Sequence, residues 1–95
     1  EAIGLGAAAD YLMAVGMDAV RAHERDLTAH MLEALDCVEG ITIYGPRDPR
    51  ARGAAVSFSL PDLHPHDIAQ LIDRDGVCIR AGHHCAVRAR PARSP

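Results

Sequence analysis

Seven residues near the end of the chain, Arg80 to Ala86, read RAGHHCA. Three chemistries compete for the cysteine. As a metal ligand, Cys85 needs partners that converge on one ion. His83, His84 and Cys85 are consecutive, whereas structural zinc sites use spaced pairs, so the spacing argues against zinc even with His64 and His66 added. As an inert thiol it would be a small buried hydrophobe. That role suits Cys78 in VCIR and Cys37 at a helix end better than a cysteine in a glycine-containing loop. As a nucleophile it acts as the thiolate, which nearby cations favour. Arg80, His83 and His84 would supply positive charge or proton transfer. Taken blind, two histidines beside a cysteine are as often solvated polar residues. HPHD (64–67) carries the same ambiguity: His64 reads as a helix cap and His66 as a first-turn residue, solvated or functional.

These residues need elements to hold them. Residues 2–15 are rich in Ala, Leu, Ile and Met, with only Asp10 charged, and predict a helix apolar nearly all round, one that packs between layers. Gly16 stops it. A second helix restarts at GMDAV with Asp18 in its first turn and ends between Cys37 and Gly40. Val20, Leu27, Met31, Leu35 and Val38 mark its apolar face. ITIYG predicts a short strand, RDPRARG (47–53) a charged loop, and AAVSFSL (54–60) a strand with Val56, Phe58 and Leu60 on its buried face. Pro65 and Asp67 open a third helix striped by Ile68, Leu71 and Ile72 and closed by Gly76. VCIR (77–80) predicts a third strand, which releases the chain into the cysteine loop. The tail, 87–95, is mostly Arg, Pro and Ala and is expected to be disordered. The fold class is α+β, with helices on a small three-stranded, mostly antiparallel sheet.

Composition narrows the function. With 95 residues the chain makes one small domain, and its single Phe and absent Trp predict a thin core. A net charge of -3 is a poor footprint for nucleic acid or an anionic membrane. No apolar run approaches the roughly 20 residues of a membrane span. Residues 1–15 have no basic n-region, so they are not expected to be a signal peptide. Three cysteines without regular spacing give no disulfide framework, which leads us to expect a reduced, cytoplasmic protein. All ten basic residues are arginine, so no side chain here can form a Schiff base with pyridoxal phosphate (PLP).

EAIGLGAAADYL, RAHERDLTAHMLEAL, ITIYGP and LHPHDIAQLIDRDGVCIRAGHHCA together resemble the C-terminal small domain of SUF-type cysteine desulfurases, PLP enzymes of the class V aminotransferase group. The resemblance covers residues 1–86. It implies the small domain of a fold-type I PLP enzyme, truncated at its C-terminus, whose first helix (1–15) packs on a large domain. It also implies that L-cysteine is the substrate. The Cys85 thiolate would take its sulfur, leaving L-alanine and a persulfide that a SufE-like or SufU-like acceptor collects for iron–sulfur cluster assembly. By motif match Arg80 steadies thiolate or persulfide charge, and His83 and His84 are the paired histidines before the nucleophile. His66 is nominated to enter the zinc shell of a SufU-like acceptor. The family is homodimeric.

The same resemblance implies missing parts. The family's Schiff-base lysine, and the aspartate and histidine at the PLP ring, belong to the large domain. After Ala86 the sequence departs from the family, so Arg88, Arg90 and Arg93 inherit no carboxylate-binding role. The chain by itself is therefore expected to be inactive. Two other readings stay open: a standalone module that carries persulfide on Cys85, and a small metal-binding protein using His64, His66, His83, His84 and Cys85.

Overall fold

A computed structural model describes residues 1–82 of the chain. Its element order is α1 (Ala2–Val15), α2 (Met17–Asp36), β1 (Thr42–Tyr44), a 3-10 turn (Pro49–Ala51), β2 (Ser57–Ser59) and α3 (Pro65–Asp73). Helices are thus combined with a small antiparallel sheet, as the alternation of periodicities requires.

One residue separates the first two helices. The Gly16 N–H closes α1 on the Leu12 carbonyl at 2.9 Å, and its own carbonyl accepts the first bond of α2, from Val20 N–H, at 3.1 Å. Its φ of 93° lies in the left-handed region open to glycine. The two helices consequently meet at 82°. Among the described residues no single helix is long and apolar enough to cross a membrane, and α1 and α2 meet both conditions only when joined across this break. The alanines of α1 favour helix, yet none of its residues is buried and Ile3 is 90% exposed. The all-round apolar surface predicted for α1 is present but lies bare.

β1 and β2 pair antiparallel, with Ile43 opposite Phe58, Thr42 opposite Ser59 and Tyr44 opposite Ser57. The expected hairpin around the 47–53 loop forms. A hydroxyl contact of 3.0 Å between Tyr44 and Ser59 ties the two strands from the side chains. The third strand expected at 77–80 is a correction: among the described residues the sheet has two strands. The Val77 N–H is spent on the Ile72 carbonyl at the exit of α3 (3.2 Å), which commits the start of VCIR to the helix end.

The core is thin, as the composition suggests. Among the described residues Leu32, Ile43 and Ile68 are its buried apolar residues, joined by buried Thr28. The apolar face assigned to α2 is corrected by this: Thr28 and Leu32 point inward, Val20 and Leu35 are half-buried, and Leu27, Met31 and Val38 are exposed. The cause is the 3-10 turn. Arg21, one helical face with Thr28 and Leu32, donates to the carbonyls of Pro49 and Arg50, both at 3.2 Å, and rotates that face toward the turn. In α3 Ile68 is buried and Ile72 half-buried, whereas Leu71 faces solvent.

The 47–53 loop is stitched by its own arginines. Arg52 donates to the carbonyls of Pro46 (2.9 Å) and Ala55 (3.0 Å), spanning the loop from inside. Arg47 pairs with Asp36 at the end of α2. Asp48 caps the 3-10 turn by accepting the Arg50 N–H at 2.9 Å.

Candidate functional site

The elements enclose a groove of about 960 Å³. Leu35 of α2, Phe58 of β2, and Ile68 and Ile72 of α3 form its apolar walls, and the segment 77–82 runs along it with Ile79 and Arg80. The helix end explains this path. Gly76, at φ 79°, turns the chain after α3, and the Val77–Ile72 bond lays the next residues back beside Ile72. Gly82, at φ 105°, is the last described residue and passes the chain to the histidine–cysteine motif.

Arg80 is exposed on the groove wall, its guanidinium the one charged group among the described lining residues. Cys85, His83 and His84 lie outside the described residues, as does the 87–95 tail. The described residues therefore place Arg80 on the groove wall and carry the chain as far as Gly82. Cys37 and Cys78, read from the sequence as buried thiols, are both exposed. The Cys37 thiol reaches the Glu33 carbonyl one turn back (3.6 Å), and Cys78 follows the helix exit instead of entering the sheet.

His64 is the N-cap of α3, as read from HPHD: its Nδ1 accepts the His66 N–H at 3.2 Å. His66 is exposed in the first turn, beside the groove-lining Pro65. The two imidazoles stack with centroids 5.1 Å apart and planes 13° from parallel. Among the described residues no group of three or more His, Cys, Asp or Glu could hold a metal ion. The sequence reading missed the groove and the histidine stack. Met31, Leu35 and Val38, together with the Val56–Phe58–Leu60 alternation, carried the groove's signal, because two apolar surfaces left over from the core must face each other.

PLP needs an amine for its aldehyde and donors for its phosphate. The chain has no lysine, and the groove is apolar apart from Arg80 and two strand serines. These residues do not fit the cofactor.

Comparison with known proteins covers nearly the whole chain. Residues 1–94 match the family described as aminotransferase class-V. A "Probable cysteine desulfurase" of Streptomyces coelicolor is 50% identical over 86 residues, 90% of this chain and 21% of that protein. "Probable cysteine desulfurase 2" of Mycobacterium leprae is 51% identical over 87 residues, 92% of this chain and 21% of that protein. A "Probable cysteine desulfurase" of Halalkalibacterium halodurans is 48% identical over 85 residues, 90% and 20%. The chain thus spans about a fifth of the length of these relatives.

Proposed function

Because the chain belongs to the class-V aminotransferase family, we propose that it is the nucleophile-bearing small-domain segment of a SUF-type cysteine desulfurase, an enzyme that converts L-cysteine to L-alanine and an enzyme persulfide. The observation that carries this reading is the path of residues 77–82. They line the groove, present Arg80, and stand directly before the His83–His84–Cys85 motif in the sequence. Half-identity to proteins named as cysteine desulfurases over nine-tenths of the chain supports it.

In this reading the Cys85 thiolate attacks the sulfur of L-cysteine. A sulfur–sulfur bond forms and the substrate's carbon–sulfur bond breaks. The carbon keeps the electron pair and takes a proton, which gives alanine. Arg80 offsets the anionic charge on the Cys85 sulfur, and His83 and His84 supply protons or further positive charge. PLP is held by other parts of the enzyme, as the absent lysine requires. Bare α1 is the surface on which the large domain packs. The persulfide passes to a SufE-like or SufU-like acceptor for iron–sulfur assembly in the cytoplasm, and the complete enzyme is a homodimer. His66, exposed at the head of α3, enters the zinc shell of a SufU-like acceptor.

The test is a chimera. Residues 1–86 replace the corresponding segment of the Streptomyces coelicolor relative, and sulfide release from L-cysteine is measured with a thiol reductant. The reading expects turnover that Cys85→Ser abolishes. A correctly folded, PLP-loaded chimera that turns over equally well with and without Cys85 contradicts it.

A further inference from the structure

His64 and His66 are fixed relative to each other more firmly than two exposed first-turn residues need to be. The cap bond ties His64 Nδ1 to the His66 N–H, and Pro65 between them holds its own φ near the helical value. The His64 carbonyl accepts from Asp67 (2.9 Å) and Ile68 (3.1 Å), and Ile68 is buried. The pair is therefore anchored to the core through one residue. The near-parallel rings at 5.1 Å sit within the range of offset stacking. Among the described residues no hydrogen bond engages the ring nitrogens of His66.

We propose that His64 is a positioning residue for His66. It covers one face of the His66 imidazole and holds the ring in one orientation, so that its edge nitrogens meet a metal ion carried by a docking partner without first losing rotamer freedom. The inference rests on the reading of His66 as the residue that reaches an acceptor's zinc. The cap alone cannot account for it, because Asn or Asp caps a helix as well as or better than histidine and brings no ring.

Two variants separate the ring from the cap. His64→Asn keeps a capping acceptor and removes the stack, while His64→Phe keeps an aromatic face and removes the acceptor. The 95-residue chain is titrated with a zinc-loaded SufU-like acceptor by calorimetry, and the imidazole resonances of His66 are followed by nitrogen-15 NMR. We expect His64→Asn to keep the wild-type far-ultraviolet spectrum, to shift the His66 ring signals, and to bind about three- to tenfold more weakly, the factor for leaving one side chain to be ordered on binding. His64→Phe retains more of the affinity than His64→Asn. Wild-type affinity in His64→Asn, with affinity lost in His66→Ala, overturns the positioning role and leaves the reading of His66 standing. Wild-type affinity in His66→Ala removes that reading, and the positioning role with it.

Discussion

Arg21, in the second turn of α2, donates from a single guanidinium nitrogen to the carbonyls of both Pro49 and Arg50 at 3.2 Å. This contact joins the first half of the described chain to the loop between the strands, and it sets which face of α2 turns inward. Arg21→Ala removes a charge-assisted donor from two part-exposed carbonyls and is expected to cost about 1 kcal/mol. Arg21→Lys keeps the charge but lacks the planar fork, and recovers only part of the loss. Chemical denaturation read by circular dichroism measures both. Wild-type stability in Arg21→Ala would show that the turn is held by something else.

The small core concentrates stability in few side chains. Leu32 is 5% exposed, and truncating a buried leucine to alanine costs roughly 2–5 kcal/mol. Native domains hold only about 5–15 kcal/mol in total, and this one buries three apolar residues among those described. Leu32→Ala is therefore expected to leave the chain largely unfolded at 37 °C, whereas Leu71→Ala, at a 51% exposed site, changes the midpoint little. A thermal melt of the two variants decides between this and a core that lies elsewhere.

The fold was legible where pattern and cap chemistry agree. Gly16, Pro65 and Asp67 mark helix limits through backbone conformation and dipole, which are local properties, whereas α3 ends at Asp73, before the expected Gly76, which instead turns the chain beyond the helix. The Ile43–Phe58 pairing follows from alternation across a single loop. The inward face of α2 was not legible, because it depends on Arg21 reaching carbonyls of a turn distant in sequence. The strand at 77–80 was misread for a related reason: β-branched residues suit a strand, but the Val77 N–H was already taken by the helix exit. At the candidate site, the motif named Arg80 and His66, while the groove beside Arg80 and the ring stack on His66 arise only from packing.

Asp48 and Arg50 lock the head of the 3-10 turn. The carboxylate accepts from the Arg50 side chain at 3.1 Å and from its backbone N–H at 2.9 Å, which holds the Asp48 carboxyl below its usual value, the side-chain bond first and the backbone bond second. A depressed folded value means the stabilising contribution is present above the ordinary aspartate range, about pH 4, and disappears as pH falls through the folded value. Carbon-13 NMR of the Asp48 carboxyl should show it titrating below the ordinary aspartate range. Arg50→Ala should return it to the ordinary range. An unchanged titration in Arg50→Ala contradicts this arrangement.

The absence of lysine makes a direct spectroscopic prediction. Mixing the purified 95-residue chain with PLP and L-cysteine should give no absorbance band of lysine-bound cofactor on the protein and no sulfide above a protein-free control. If both appeared, the chain would bind PLP by a route that needs no lysine, and the assignment of the cofactor to other parts of the enzyme would be wrong.

The central claim is that Cys85 receives the sulfur. The most direct measurement is intact and peptide mass spectrometry of the Streptomyces coelicolor chimera carrying residues 1–86, after brief exposure to sulfur-34 L-cysteine and alkylation without reductant. The account predicts one added labelled sulfur on the peptide bearing Cys85, absent in Cys85→Ser. Labelled sulfur on Cys37 or Cys78 instead, or none on Cys85 while alanine accumulates, would contradict it.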